Sequence, residues 1–484
     1  MGHPKNVLAD VLLAAAGGNA VCTPNLTQMY PNATVKTVDI VVVGGGDAGA
    51  NAASNLYDAG LSVIVLEKED HLGGRVNGWT NPSTNVNYDY DVATYTNYTG
   101  TEAFFERLGI NITTPTFLTT TSSYVDFSTG ETIAYDAANF TTELVALQKY
   151  YDVANNYSDY YLPSYANWPA PEDIPEDLLM SFRDFAIKYE LNTTMLLIWA
   201  GIGAGLADML DALALYVMQT FDPQTAAVFL GYDVQYVPTS GRNQDIYNTI
   251  ASILGDSVMV NTTVVSSSRL ADKGGVQLAV KNFVTGKVAV IKVKRLVMAI
   301  EPTTDNTAPF NLDTKESAVF DNATWSVVHA GIVSHFSLPT NGLVYNLPAS
   351  AAKGNAFSYP EPPFVDYLEY IGEDLWQVIA AGWVGFSVED AQNLANEALQ
   401  MMAAAGTIPA TNGTNLTIQA WSDYGAMDMR TSAKNLKACF IQQQYSLQGY
   451  RSTYWTGGAF SNQLSTYMWA YNKEYLVPLV VASL

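Results

Sequence analysis

Three glycines, Gly44, Gly46 and Gly49, and a carboxylate at Glu67 are the residues whose types and spacing point most directly to chemistry. In a Gly-x-Gly-x-x-Gly turn the first glycine takes the tight bend and the second leaves room for a pyrophosphate to approach the backbone. The third lets the following helix pack close to the strand before it. The phosphates then sit on free helical N–H groups, and an acid about 20 residues on accepts the ribose hydroxyls of an adenosine. The flanking elements match. Residues 39–43 are a β-branched run of the kind that forms a buried parallel strand, and residues 50–59 read as a helix stopped by Gly60. Residues 61–66 form a second apolar strand ending at Glu67. Strand, glycines, helix, strand and acid in that order predict a dinucleotide site; the alternative is a glycine-rich turn in an unrelated α/β protein.

A nicotinamide fold gives no reason for Gly73-Gly74-Arg75 just after the acid. Residues 37–75 resemble the dinucleotide motif and the following Gly-Gly-Arg motif of the flavin-containing amine oxidase superfamily. The resemblance implies FAD, with Gly73, Gly74 and Arg75 along its pyrophosphate, and His71 stands where the family usually has an arginine. It also implies an α/β fold: a Rossmann-like FAD-binding domain of the amine oxidase or glutathione-reductase type, joined to an α+β substrate-binding domain. The FAD-binding domain is expected from residues 37–110, 245–309 and 420–484, the substrate-binding domain from 111–244 and 310–419, and an arm or leader remnant from 1–36.

A second signal lies in residues 447–484. Tyr454-Trp455-Thr456-Gly457-Gly458 reads as strand then glycine turn, and residues 462–475 as a helix. A helix N-terminus there can place its positive end on a flavin pyrimidine edge, which eases reduction. The stretch resembles the amine oxidase C-terminal motif, which implies cofactor contacts at Gly457, Gly458 and Leu464. It puts Tyr467 where the family often has an aromatic facing the flavin, and Ala459 where a glutamate commonly contacts the cofactor. The bland reading of Tyr467 is a buried helix tyrosine. The same overlay brings Val264 or Val265 near the adenine and Asp91 near the flavin ring; Asp91 reads equally as a solvated loop carboxylate. Many amine oxidases hold a lysine near flavin N5, but residues 325–339 contain none, only His329 and His335. The Tyr454–Phe460 run and the Tyr88-Asp89-Tyr90 loop look like the branch that includes polyenoic fatty acid isomerases of red algae and related fungal flavoproteins.

Two chemistries follow from the resemblance. In one, hydride passes to flavin N5 from a small lipophilic or amine substrate; in the other, a polyunsaturated fatty acid undergoes redox-neutral double-bond migration. A flavoprotein without catalysis is a weaker alternative. A fatty acid needs an arginine fork, for which Arg183, Arg242, Arg430 and Arg451 are candidates, each also readable as a structural ion pair. Trp199, Tyr216, Met218 and Phe221 are candidates to line the substrate pocket, although apolar stripes at helical spacing are usually core.

The 46 acidic and 23 basic residues among 484 give a net charge of −23, which disfavours nucleic acid and anionic membranes. Only Cys22 and Cys439 occur, so no disulfide framework or cysteine metal site is expected. A single bridge or two free thiols both remain open. No HExxH or EF-hand pattern appears, so no metal is expected; the resemblance implies non-covalent FAD, because Cys439 lies off the position where family members attach it through cysteine. Asn-x-Ser/Thr triplets begin at Asn25, Asn32, Asn97, Asn111, Asn139, Asn156, Asn192, Asn261, Asn322, Asn412 and Asn415, which favours secretion with N-glycosylation. The longest apolar run, 195–207, is broken by glycines and falls short of a membrane span. The chain gives no indication of oligomeric state.

Overall fold

The computed structural model describes residues 25–90, 92–202, 205–269 and 274–484. Asp91, Cys22 and the apolar stretch at 11–16 lie outside the described residues. The first sheet is built around strand Thr34–Val43, flanked by Val63–Leu66 on one side and Val288–Met298 on the other, both parallel to it. Ile40, Val41, Val42 and Val65 are fully buried because helices or loops cover both faces, the condition that parallel strands require. The eleven-residue strand Val288–Met298 serves two partners along one edge. Its first half pairs antiparallel with Val276–Asn282, and its end pairs parallel with Thr453–Trp455. Strands Val276–Asn282 and Thr262–Arg269 complete the expected β-meander, with Gly286 (φ +68°) in the hairpin turn.

Helix Asp47–Asp58 lies on this sheet through Ala50, Ala52 and Ala53, residues small enough for close approach. It is bound to the far end of the chain. Trp469 Nε1–H and Tyr247 O–H both donate to Asp47 Oδ1 at 2.6 Å, and Asn472 Nδ2–H donates to the Ala48 carbonyl at 2.9 Å. The N-terminal glycine turn and the C-terminal motif are therefore one structural unit.

The second sheet runs in the order Thr417–Arg430, Thr324–Ser334, Leu375–Trp383, Phe364–Gly372, Gly342–Asn346, Thr121–Asp126, Glu131–Thr132. Helix Val388–Ala405 covers its back face, with Ala395, Leu399 and Met402 against Val333, Leu368 and Val378. The front face, with Ala330, Phe364 and Ile379, joins the principal core beneath the helices of residues 140–229.

Three expectations change. Strand Thr417–Arg430 pairs along Thr324–Ser334, so it belongs to the second sheet, and the segment that returns to the first sheet starts after Arg430, not at 420. The apolar spacing of residues 174–189 predicts one amphipathic helix, but the chain forms two, Glu176–Leu179 and Phe182–Lys188, because Ser181 leaves helical geometry to cap the second through Asp184 N–H. The C-terminal helix begins at Ser465, with residues 457–464 forming turns that the Asn462 side chain fastens through the Leu464 N–H.

Candidate functional site

The glycine turn separates what the protein needs from what a ligand needs. Gly44 has φ +95°, and a Cβ there would fall 2.6 Å from the Ala299 carbonyl oxygen; a Cβ on Gly49 would fall 1.9 Å from the Gly44 carbonyl oxygen. Both are glycine because the chain itself allows nothing larger. Gly46 has an ordinary backbone (φ −63°, ψ −174°), and a Cβ there would meet nothing nearer than Gly74 Cα at 3.7 Å. It caps the twelve-residue helix Asp47–Asp58, whose first-turn N–H groups lack helical partners. The bare backbone at Gly46 has its reason in something outside the chain, and an anionic diphosphate at a helix N-terminus is what that geometry accepts.

The second glycine pair closes on the first. Gly73 N–H donates to the Gly45 carbonyl at 3.0 Å, and Gly74 (φ +59°) comes so near that a Cβ on it would lie 2.8 Å from Gly46 Cα. Two loops therefore present bare backbone to one cleft. Arg75 does not lie free along it. Its guanidinium donates to the carbonyls of Tyr424 (3.1 Å) and Ala426 (2.7 Å) and to Gln463 Oε1 (2.9 Å), and faces Glu301 at 3.4 Å. It joins the cofactor loop to the substrate sheet and the C-terminal turn. His71 instead pairs with Asp70 at the surface.

Glu67 stands at the end of its strand, 5% exposed. Gly45 N–H donates to its Oε2 at 2.6 Å and Glu69 N–H to its Oε1 at 2.8 Å, so the carboxylate is fixed in place by backbone before any ligand arrives. Thr262 N–H donates to the Glu67 carbonyl at 2.8 Å. This brings the strand carrying Val264 beside the acid: Val264 is buried, and a bulge after it turns Val265 out to solvent. An adenosine held at Glu67 would meet Val264, not Val265.

In the C-terminal motif Gly457 has φ +94°, and a Cβ on Gly458 would collide with the Gln463 side chain, the residue that Arg75 holds. Leu464 precedes the helix at its N-cap, and the Ala459 carbonyl accepts from Gln444 Nε2–H at 2.6 Å. Tyr467 is wholly buried, its ring 4.3 Å from that of Tyr98 and its hydroxyl bonded to Asp222 and Gln224. Asp222 in turn caps helix Pro223–Phe229, and burial pushes its carboxyl pKa upward.

Of the pocket candidates, Tyr216 accepts from Thr431 N–H and Phe221 packs on Tyr150, both core roles. Trp199 differs: it stacks on Tyr359 at 4.5 Å, and its indole N–H is buried without a partner among the described residues. The arginines are largely engaged. Arg430 bonds Asp208 and Ser326, Arg451 bonds Glu316, Arg242 pairs with Asp245, and Arg183 donates to the Phe357 carbonyl. His329 bonds the Phe386 carbonyl, and His335 bonds Thr414. Sequence reading missed Glu301, Asp428 and Asp366, three buried carboxyls. Burial raises all three, Asp428 to about 6 and Asp366 to about 7. The available signal was an acid inside an apolar run, as in Phe364-Val-Asp-Tyr-Leu368. No cluster of metal-ligating side chains and no helix long and apolar enough to cross a membrane occur among the described residues.

Residues 42–108 match the NAD(P)-binding Rossmann-like domain family. Over nearly its whole length the chain is 26% identical to an FAD-dependent oxidoreductase of Monascus ruber, with 99% of this chain and 98% of the relative covered. It is 28% identical to beta-cyclopiazonate dehydrogenase of Aspergillus oryzae, covering 90% and 92%. The fold matches a fatty acid isomerase from P. acnes that produces CLA, with TM-score 0.68 over 91% of this chain and 98% of that one, at 17% identity. It also matches putrescine oxidase bound to putrescine, with TM-score 0.60 over 93% and 100%, at 15% identity. Along its length the chain is similar to fungal FAD-dependent oxidoreductases, and its fold is shared with an amine oxidase and a fatty acid isomerase.

Proposed function

We propose that this flavoprotein is an FAD-dependent oxidoreductase that removes hydride from a carbon of a small lipophilic or amine substrate. The observation that carries this is the bare backbone of Gly46 facing Gly74, which no packing inside the chain requires. The names of the full-length relatives, FAD-dependent oxidoreductase and dehydrogenase, support it.

FAD, when bound, supplies a two-electron acceptor. The chain's own work is binding and positioning. The N–H groups after Gly46 and the Gly73-Gly74 backbone hold the diphosphate, Glu67 receives the ribose and Val264 borders the adenine. Gly457, Gly458 and Leu464 form the turn behind the ring. Arg75, through Gln463 and Glu301, fixes the wall between cofactor and substrate sheet and keeps water from passing behind it. Tyr467, with its hydroxyl committed to Asp222, contributes a rigid aromatic surface and not a proton. Asp91 stays a candidate from the sequence alone. Attachment is non-covalent, supported by the position of Cys439 outside both glycine motifs; flavin should appear in the supernatant after acid precipitation.

Redox-neutral isomerisation is the second reading, supported by Ala459 and the absence of lysine from residues 325–339. One experiment separates the two. Purified protein should be yellow with a two-banded flavin spectrum, and substrate should bleach it under nitrogen, with colour returning in air. Growth of conjugated-diene absorbance from polyunsaturated fatty acids without oxygen would instead establish the isomerase. A folded, colourless protein that cannot take up FAD would remove both. Secretion with glycosylation is proposed from the sequons, nine of whose eleven asparagines are exposed, Asn97 and Asn261 being half-buried; peptide N-glycosidase treatment of the natively expressed protein should increase its gel mobility.

A further inference from the structure

The front face of the substrate sheet carries a straight row of neighbours leading away from the cofactor loop. Asn77 Nδ2–H donates to the Gly74 carbonyl and to Ser422 Oγ, which also bonds the Tyr90 hydroxyl. Ser422 pairs with Ala330, Ala330 with Ile379, and Ile379 with Tyr367. Three strand spacings put the end of this row roughly 14 Å from its start.

At that end the sheet has a bulge. Val365 pairs with Ala380 and Tyr367 with Ile379, leaving Asp366 as the extra residue. Asp366 is completely buried, and neither carboxylate oxygen has a hydrogen-bond partner among the described residues. The groups around it are aromatic: Trp199, Tyr359, Tyr345 and Tyr367. Trp199 stacks on Tyr359 and packs on Phe364 at 5.2 Å. Its N–H, turned toward Asp366, stays outside bonding geometry, and the Tyr359 hydroxyl is also unpartnered. Among the described residues, no lysine, arginine or histidine acts on Asp366. A buried carboxylate with no counter-charge and only an indole N–H turned toward it is costly, and folded proteins keep such groups where a ligand completes them.

Building on the oxidoreductase reading, we propose that Asp366 anchors a basic nitrogen of the substrate at the end remote from the reacting carbon, with Trp199 and Tyr359 as the aromatic wall beside it. An ammonium supplies both missing elements, a charge and two or three donors, and aromatic faces add a cation–π attraction. Burial holds the carboxyl near 7, so it is charged and ready for a cation above neutrality. A carboxylate substrate would be repelled from this corner.

The test uses the holoprotein with 2-phenylethylamine, 2-phenylethanol and phenylacetate, followed by tryptophan fluorescence, with FAD content read separately by absorbance. At pH 8 the amine should bind at least about tenfold more tightly than the alcohol, and Asp366→Asn should remove that advantage without changing alcohol affinity or FAD content. Should the variant fail to fold, the native protein serves: its affinity for the amine, and not for the alcohol, should fall about tenfold from pH 8 to pH 5. Equal amine binding by native and variant protein, tightest binding of phenylacetate, no binding of any probe, or a crystal structure with amine present but only water at Asp366 would each overturn the proposal. A yellow protein lacking Asp366-dependent binding sinks this inference alone, whereas a colourless one sinks the reading beneath it.

Discussion

The turn at residues 44–74 and the corner around Asp366 treat buried carboxyls in opposite ways. Glu67 has both oxygens occupied by backbone N–H groups of its own chain, whereas Asp366 has neither occupied. The cofactor end is thus preorganised: the chain spends its hydrogen bonds fixing the cradle before FAD arrives, so that ordering costs little at the moment of binding. The substrate end holds an uncompensated polar group whose stabilisation has to come from outside. Such a corner lowers the stability of the free protein and gives the ligand something specific to repair.

That contrast can be broken at several points. Gly49→Ala should have the largest effect, because a Cβ 1.9 Å from the Gly44 carbonyl forces helix and strand apart; we expect a loss on the order of 4 kcal/mol, or no soluble protein, by urea denaturation. Gly46→Ala sharpens the point: the apoprotein should keep its stability to within about 1 kcal/mol while FAD binding weakens by roughly a hundredfold. Loss of fold there would mean that Gly46 serves packing after all.

Asp366→Asn tests the other end. With a folded-state pKa of about 7 against an ordinary 3.8, the acid contributes most below pH 4, and that contribution is lost as pH rises through 7. The unliganded native protein should therefore lose about 4 kcal/mol between pH 4 and pH 8 from this group, and the variant should lose that much less. Identical pH dependence in both proteins would show Asp366 to be compensated. Glu67→Gln should cost about 1–2 kcal/mol, through the weakened Gly45 bond, together with part of the FAD affinity. Tyr467→Phe should be smallest, about 1 kcal/mol with FAD content unchanged, because only the hydroxyl bonds to Asp222 and Gln224 are lost.

The legible parts were those written locally. Phe104, Phe105 and Leu108 at helical spacing predict the helix Thr101–Leu108, and Thr285-Gly286 predicts a hairpin turn; both form, because periodicity and turn chemistry act over a few residues. The strand Thr417–Arg430 was not legible as part of the substrate sheet, since its membership depends on a partner some 90 residues away. Arg75 read as a phosphate contact because motif spacing places its backbone. Its guanidinium is directed by Tyr424, Ala426 and Gln463, which lie more than 300 residues further on.

Taken by itself, the order of strand, glycines, helix and acid determined that a tight glycine turn joins strand to helix with the acid beside it, because those constraints are steric and sit within one stretch of backbone. Only the tertiary structure decided which glycine is fixed by packing and which is not, where Arg75 points, and that Asp366 is sealed among aromatics without a hydrogen-bond partner among the described residues. Those facts depend on which distant side chains arrive at the same place, and burial, which sets the cost of an unpaired charge, is a property of the assembled fold.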